Sequence, residues 1–333
     1  MSVDNSRLVS DDGYAALTGA VGLIDLAERT RIELSGEDRA AFLHNLSTND
    51  IKRLAAGAGC EAFWLNARGH VLAHGFVICR PASLVIETAP GQEESLLAHL
   101  NRYLIREKVE LHPRTAEWGA WLLAGPQAAD CLSRALGISP PVERLASIES
   151  QWQGRPLFVV RVEMTQPGGF LVVSPRETAA ETAEAFVRAG AARCSPAALE
   201  AARIEAGFPY YGRDITGKTL PQEVARDKFA ISFTKGCYIG QETVARIDAL
   251  GHVNKTLVGV RFEGGEVPSS GTELFAAGLS AAGQVVGEVT SAVFSPRLGS
   301  PLALAYVRRG SDRPGVQLES PLGGAEVVAL PLG

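Results

Sequence analysis

The sequence predicts an α+β protein with a separate all-β unit at its C-terminal end, and three observations support this. Its 333 residues exceed what one compact core ordinarily holds, so two or three domains are expected. Strand and helix patterns alternate up to about residue 250, and hairpins among them indicate helices packed on one face of antiparallel sheets. From about Lys255 only short strands follow, separated by Gly, Pro and Ser turns, as in a small barrel or sandwich. We therefore divide the chain into residues 1–253 and 254–333.

The first group of elements combines a helix with a strand meander. The stretch RTRIELSGEDRAAFLHNL predicts a strand over Arg31–Leu34 and then a helix with Ser35 as N-cap and Asp38 at its third position. The apolar runs CEAFWL, HVLAHGFVIC and SLVIET, separated by turns, predict a three-stranded antiparallel meander over Cys60–Thr88. Leucines at helical spacing predict a helix over Glu93–Tyr103.

The same order of elements returns further along the chain. WGAWLLAG predicts a strand, and Pro126–Leu136 predicts a helix with proline in its first turn. PLFVVRVEM and GGFLVVS predict paired strands, and Glu177–Ala189 predicts another helix. Two related α+β layers are therefore expected, although no sequence repeat is legible.

Charge and cysteine content exclude several classes of protein. The net charge of −5 gives no global positive field for nucleic acid or an anionic membrane, and no stretch of about twenty apolar residues occurs. The five cysteines are odd in number and form no CxxC pair, which argues against a disulfide framework and a zinc site. The start, MSVDNSRLVSDDGYAAL, has acids where a signal peptide carries positive charge. We expect a cytoplasmic protein that contacts neither nucleic acid nor membrane directly.

The stretch KGCYIGQETVAR raises the question of whether Cys237 serves as a reactive thiol. Gly236 and Gly240 would let the backbone turn with positive φ on either side of it. If Ile239–Arg246 begins a helix, the helix dipole and Lys235 would both favour the thiolate. The alternative is that Cys237 is a small buried residue in a turn, because free cysteine is among the most buried residue types. Spacing alone leaves both interpretations open.

Glu205, in the stretch RIEAGFPYYGRDI, allows two interpretations as well. Its neighbours are apolar or small, so the carboxylate would suit a pocket wall where it accepts hydrogen bonds from the ring N–H groups of a ligand. Alternatively, it forms a surface pair with Arg203 or Arg213. The nearby Tyr210 and Tyr211 would stack a planar ligand or, as we expect without other information, pack in the core.

At the level of motifs, the run ISFTKGCYIGQETVAR resembles the signature K-G-C-[YF]-x-G-Q-E of YgfZ-type folate-binding proteins, relatives of the glycine cleavage T protein (aminomethyltransferase). Further stretches are similar to this family over most of the chain. They are LSGEDRAAFLHNLSTNDI, LNARGHVL, ARIEAGFPYYGRDI and GEVTSAVFSPRLGSPLALAYV.

This resemblance implies two interlocked ferredoxin-like domains forming a ring-like body, a C-terminal barrel, and tetrahydrofolate or a one-carbon-substituted reduced folate in a central hole. It implies that Glu205 faces the pterin ring and that Arg246 and Lys255 meet the anionic glutamyl tail. Carried over to this chain, the site residues are Cys237 and Lys235 as catalytic groups and Glu205, Tyr238, Gln241, Glu242 and Arg246 as cofactor contacts.

One departure separates two branches of the family. In the T proteins the hairpin that corresponds to LNARGHVLAHG bears an aspartate, whereas here Glu61 and Glu87 are the nearest acids, with His70 and His74 between them. A neutral imidazole does not stabilise a developing iminium as a carboxylate would, although it exchanges protons near neutral pH. We expect His74 to be a strand histidine facing solvent.

The interpretation adopted is a tetrahydrofolate-binding accessory protein for assembly or repair of iron–sulfur cluster enzymes, acting through the Cys237 thiol. Its partners are then reduced folate and iron–sulfur client or assembly proteins, and any link to tRNA modification is indirect. One motif cysteine supplies one ligand where a cluster usually needs four, so permanent cluster binding is not expected. The alternatives are a folate-dependent aminomethyltransferase or other one-carbon transferase, and a docking module in which Cys237 is inert.

Overall fold

The first described strand and the strands that directly follow it lie in different sheets. A computed structural model describes residues 13–278 and 284–333. Helix α1 (Tyr14–Gly19) precedes strand β1 (Gly22–Asp25), which pairs with strands that come much later in the chain. Strand β1 therefore belongs to the second sheet, although it precedes every strand of the first sheet in the chain.

The first complete sheet has five antiparallel strands in the order β3-β4-β5-β2-β6. Its elements are β2 (Arg29–Ser35), α2 (Arg39–Leu46), β3 (Gly59–Leu65), β4 (Val71–Cys79), β5 (Leu84–Pro90), α3 (Glu93–Asn101) and β6 (Glu110–Pro113). The predicted meander is confirmed as β3-β4-β5. The predicted N-cap Ser35 is wrong, because Gly36 turns the chain with φ +100° and α2 starts only after Asp38, whose carboxylate accepts a hydrogen bond from the Lys108 amide.

The second sheet has six strands in the order β11-β1-β7-β10-β9-β8, and only the β1–β11 pair in it is parallel among the described residues. Its elements are β7 (Trp118–Ala124), α4 (Ala128–Leu136), β8 (Ser147–Trp152), β9 (Arg155–Val162), β10 (Gly169–Pro175), α5 (Arg176–Arg188) and β11 (Ala192–Arg193). The two predicted helices are present, but α4 begins two residues after Pro126, since Gln127 is its N-cap.

A helical stretch joins the sheets to the barrel. Its elements are α6 (Pro196–Glu205), a 3₁₀ turn (Pro221–Val224), α7 (Asp227–Ala230) and α8 (Gln241–Leu250). Ser195 caps α6 by accepting a hydrogen bond from the Ala198 amide at 3.1 Å. Gly240 precedes α8 with φ +80°, as predicted, whereas Gly236 does not adopt a positive φ. Helix α8 therefore starts two residues later than the sequence suggests, and Cys237 lies four residues before it.

The C-terminal strands close into a six-stranded antiparallel barrel, which resolves the choice between a barrel and a sandwich. They are β12 (Lys255–Phe262), β13 (Glu273–Ala276), β14 (Val285–Ser295), β15 (Ser300–Arg308), β16 (Gln317–Ser320) and β17 (Gly323–Val328). Alternate side chains such as Val260 and Phe262 fill the interior. Leu257 and Leu304 face the other way and pack against the N-terminal part of the chain. Among the described residues, no helix combines the length and apolar character needed to span a bilayer.

Candidate functional site

The segment that carries Cys237 is anchored on both sides to the end of helix α2. Before the cysteine, the Thr48 hydroxyl donates to the Ala230 carbonyl at 2.6 Å, and the Ser232 amide donates to the Thr48 carbonyl at 2.9 Å. After it, the Ile239 amide donates to the Asn45 carbonyl at 3.2 Å. These long-range contacts fix the course of the segment and leave its middle, around Cys237, at the surface.

Lys235 is buried, and its ammonium group donates hydrogen bonds to backbone carbonyls. Its Nζ donates to the carbonyls of His44, of Ser47 at 2.6 Å and of Asn49 at 2.9 Å, at the C-terminal end of α2. A cation there satisfies carbonyls that the helix leaves without partners and interacts favourably with the helix dipole. Burial lowers the pKa of Lys235 to about 8. The positive charge predicted to favour the Cys237 thiolate is thus directed at α2.

Cys237 is the one exposed cysteine of the five. Its Sγ makes no hydrogen bond to any described residue, in contrast with Cys131, whose Sγ lies 3.7 Å from the Phe186 carbonyl in the core. Burial raises the pKa of the thiols of Cys60, Cys79, Cys131 and Cys194, and that of Cys60 reaches about 12. The interpretation of Cys237 as a buried turn residue is therefore wrong.

The other residues of the motif divide between core and solvent. Tyr238 is buried with its ring 4.8 Å from the Lys235 Nζ, and burial raises its pKa to about 12. Gln241 is half-buried at the first position of α8, whereas Glu242 and Arg246 are exposed on the same helix. No hydrogen bond or ion pair within the described residues joins any of them to Glu205, the other predicted ligand contact.

Glu205 is buried at the last position of α6, with 2% of its surface exposed. Its Oε2 accepts a hydrogen bond from the Tyr14 hydroxyl at 2.6 Å, and its Oε1 accepts one from the Ser295 hydroxyl at 2.5 Å. The alternative of a surface pair with Arg203 or Arg213 is wrong, because Arg203 is buried and pairs with Asp214 at 2.9 Å, and Arg213 pairs with Glu200 at 3.1 Å. Each oxygen of Glu205 keeps one further acceptor position.

A buried carboxylate and imidazole on the β3–β4 hairpin meet two partly exposed arginines from later in the chain, and we call this group the Glu61 cluster: Glu61, His74, Arg144 and Arg226. Oε1 of Glu61 accepts hydrogen bonds from the His74 Nε2 and the Arg226 Nε, both at 2.7 Å. Oε2 accepts from the other end of Arg226 at 2.5 Å and from Arg144. Burial alone would raise the pKa of Glu61, but the hydrogen bonds from Arg226 and His74 outweigh it and hold the pKa well below its usual range.

The structure places His74 in the interior, which corrects the expectation that it faces solvent. It is 3% exposed, and the rings of Phe63 and Phe208 lie 4.9 Å and 5.8 Å from its own. Burial, opposed by the hydrogen bond to Glu61, lowers its pKa. Sequence reasoning named the acid and the imidazole of this cluster but missed both arginines, since neither lies near the hairpin in sequence.

Two cavities adjoin these residues. One, of about 350 Å³, lies between the barrel and the residues that follow α6 and flank the start of α7, and it is lined in part by Gly207, Arg226 and Phe229. The Arg226 guanidinium lies 4.7 Å from the ring centre of Phe229, a ring that is 42% exposed. The other, of about 650 Å³, is bordered by Tyr14, the partner of Glu205, and by Arg297. No cluster of His, Cys, Asp and Glu suited to a metal ion occurs in the described part of the chain.

The chain matches two known domain families over most of its length. Residues 7–235 match the GCVT N-terminal domain, and residues 255–332 match the glycine cleavage T-protein C-terminal barrel domain. The chain belongs to the glycine cleavage T-protein family.

Individual relatives are distant but similar over most of their length. An aminomethyltransferase of Rubrobacter xylanophilus is 31% identical over 88% of this chain and 78% of that protein. An aminomethyltransferase of a Nostoc species is 26% identical over 95% of this chain and 85% of that protein, and a putative chloroplastic transferase of Arabidopsis thaliana is 27% identical over 90% and 68%. The crystal structure of aminomethyltransferase T from Bartonella henselae superimposes with a TM-score of 0.85 at 23% identity, covering 96% of this chain and 88% of that one, which shows a shared fold.

Proposed function

We propose that this protein is a tetrahydrofolate-binding accessory protein of the YgfZ type, which serves the assembly or repair of iron–sulfur enzymes through the Cys237 thiol. The observation that carries the proposal is the exposure of Cys237 in the K-G-C-Y-x-G-Q-E motif, next to a fully partnered Lys235. An exposed thiol without an internal partner is accessible to a client protein. The proposal includes a cytoplasmic location, a boundary between units near residue 254, and only an indirect link to tRNA modification.

The residues present fit a reduced folate, which the family assignment implies. Glu205 retains one acceptor position on each oxygen, as paired N–H groups of a pterin ring require. Phe229 lines one cavity with a ring that is 42% exposed, and Arg297, which forms no ion pair with the described residues, borders the other with the positive charge that a folate carboxylate needs. We propose that these side chains hold the ligand in a ring-like body of two interlocked ferredoxin-like domains.

When bound, tetrahydrofolate supplies a carrier for a one-carbon unit. The protein's own contribution is to bind the ring at Glu205, to exclude water through the apolar walls and to present the Cys237 sulfur. The thiolate of such a group can accept a one-carbon unit, hold a sulfur or iron intermediate, or sense oxidation. Since Lys235 is directed at α2, activation of the thiol falls to the partner or to the bound ligand.

A folate-dependent aminomethyltransferase is the second candidate, favoured by one observation. The hairpin does hold a carboxylate, because Glu61 directly contacts His74, the histidine of the stretch where the T proteins carry their aspartate. Against this candidate, Glu61 already neutralises two guanidinium groups and is fully buried. A developing substrate cation would have to compete with Arg144 and Arg226 for the same two oxygens.

Complementation of a strain that lacks this gene distinguishes the two functions. Two activities are measured after rescue with wild type, Cys237→Ala or the matched control Cys79→Ala: a 4Fe–4S-dependent enzyme and glycine cleavage. We expect the iron–sulfur activity alone to fall on deletion, and wild type and Cys79→Ala to restore it while Cys237→Ala does not. Loss of glycine cleavage alone would establish the transferase instead, and full rescue by Cys237→Ala would leave only a docking role.

A further inference from the structure

A third cavity lies where the outer face of the barrel meets the loop after α6. Its volume is about 520 Å³. Four basic residues line it, two on the loop and two on the barrel. They are Arg213, Lys218, Lys255 and Arg308. This cavity shares no lining residue with the two cavities near Glu205.

Two of these cations face each other across neighbouring strands without an ion-pair partner, although the Glu223 carboxylate lies near enough to Lys255 to interact with it electrostatically. Lys255 on β12 and Arg308 on β15 are directly opposite in the antiparallel register. Like charges in this position repel, because their side chains begin about 5 Å apart. Neither Lys255, Arg308 nor Lys218 has a carboxylate within ion-pair distance among residues 13–278 and 284–333. The fold therefore holds unneutralised positive charge at the mouth of a cavity.

The acidic groups of the cavity do not offset this charge. Asp214 is buried and already receives hydrogen bonds from Arg203 at 2.9 Å and from the hydroxyls of Thr290 and Ser291, both at 2.6 Å. Glu288 is the other acid in the lining and is exposed to solvent on β14. The net charge of the side chains that line the cavity is therefore positive.

A buried hydroxyl supplies the second, independent observation. Tyr306 lines the cavity and is 9% exposed, and its hydroxyl makes no hydrogen bond of good geometry to the described residues, although the Thr219 side chain lies beside it. A buried polar atom without a partner is costly, so it calls for a ligand or ordered water. Burial raises the pKa of Tyr306 well above its usual range, which keeps the hydroxyl protonated as a donor. The Lys255 Nζ lies 4.6 Å from the centre of the same ring.

We infer that this cavity is a binding site for a small polyanion, with oxyanion groups held by Lys255 and Arg308 and by the Tyr306 hydroxyl. Phosphate groups and the carboxylates of a γ-linked glutamate chain share this chemistry. The site uses neither Cys237 nor Glu205. With a glutamate chain as ligand the inference rests on the proposed function, because the family resemblance already implies that Lys255 meets the glutamyl tail of folate, whereas a phosphate ligand would be separate from that function.

Isothermal titration with inorganic pyrophosphate and with γ-linked triglutamate tests the site. We expect at least one probe to bind the full-length protein with one-to-one stoichiometry and with affinity that falls as salt concentration rises. Lys255→Gln should weaken binding by about tenfold or more, and Tyr306→Phe, which removes one hydrogen bond, by about fivefold. Arg261→Gln, a matched charge loss further along β12 where Arg261 pairs with Glu326, should leave affinity unchanged.

Thermal unfolding measures the stability of each variant without anion, so it gives a result even for a variant that does not bind the probe. The Lys255→Gln variant should be at least as stable as wild type without anion, because it relieves the cross-strand repulsion, and should gain less from saturating probe. Binding of pyrophosphate alone identifies a phosphate ligand, and binding of triglutamate alone identifies a carboxylate chain. Absence of binding by both probes at about 10 mM, or equal affinity of wild type and Lys255→Gln, would overturn the site.

Discussion

The Glu61 cluster and the exposed segment around Cys237 are close in sequence, yet the polar groups of the first have hydrogen-bond partners and the thiol of the second has none among the described residues. In the cluster, both oxygens of a fully buried carboxylate are occupied by an imidazole and two guanidinium groups. Eleven residues after Arg226, the Cys237 thiol is exposed and makes no hydrogen bond to the described residues. Helix α7 connects the two regions, since Arg226 precedes it and Ala230, at its end, is bound by Thr48.

The comparison distinguishes polar groups that stabilise the folded structure from polar groups that remain free to react. A buried charge that is fully paired is costly to disturb, and its reactivity is suppressed by its partners. An exposed group with no partner contributes little to stability and is free to react. Lys235, two residues before Cys237, belongs with the first kind although its position in the motif suggests the second.

The largest effect is expected from Glu61→Gln. The substitution removes the fully buried counter-charge of Arg226 and leaves Arg144 with Glu163 alone, so the free energy of unfolding should fall by about 3 kcal/mol. Urea denaturation measures this. Glu37→Gln is the matched control, because Glu37 pairs with Lys108 where both side chains are more than 70% exposed, and it should cost less than about 0.5 kcal/mol. Equal stability of the two variants would show that the Glu61 cluster is not a structural unit.

Lys235→Met should be the next most disruptive change. It removes the donor to three backbone carbonyls at the end of α2, and we expect a loss of about 2 kcal/mol in urea denaturation. Lys228→Met, at an exposed position of α7, is the control and should be close to neutral. If Lys235→Met kept full stability but slowed alkylation of Cys237 tenfold, Lys235 would act on the thiol after all, as the motif suggests.

The sequence predicts local elements well because their signals are local. The three-stranded meander, the helices over residues 93–103 and 177–189 and the short strands after Lys255 all follow from periodicity and turn residues, and each is present within a few residues. The T-protein family was also recognisable from motifs, and the family match agrees with it. Helix starts were less accurate, as Ser35 and Pro126 show, because the actual caps depend on a turn and on tertiary contacts.

The site was harder to predict because its contacts are long-range. The acceptors of Lys235 lie 186 to 191 residues earlier in the chain, and the Ser295 partner of Glu205 lies 90 residues later. Motif spacing gives the identity of a side chain but not the group that it faces. Hence Lys235 and Cys237 looked like one reactive unit in the sequence, whereas the structure directs Lys235 at α2.

The pH dependence of stability should reveal the protonation of His74. Burial lowers the pKa of His74 in the folded protein below the ordinary value of about 6.5. At a pH between the folded pKa and 6.5, the unfolded chain therefore binds more protons than the folded protein. Stability is therefore lost as pH falls from 6.5 towards the folded pKa, and His74 contributes at most about 1.4 kcal/mol per pH unit to the slope, beside His44 and His99, whose pKa values burial also lowers. His74→Gln should flatten this slope, whereas His252→Gln, at an exposed position, should preserve it. An unchanged slope in His74→Gln would mean that the imidazole is protonated in the folded protein.

The smallest effect on stability is expected where chemistry is proposed. Cys237→Ser should change the free energy of unfolding by less than about 0.5 kcal/mol, since the thiol is exposed and has no hydrogen-bond partner among the described residues. The matched Cys131→Ser places a hydroxyl in the core and should cost about 1–3 kcal/mol. In the native protein, a thiol reagent should modify one cysteine rapidly, and Cys237→Ser should lose that phase. Persistence of the fast phase would assign the accessible thiol to another cysteine and remove the contrast between the two regions.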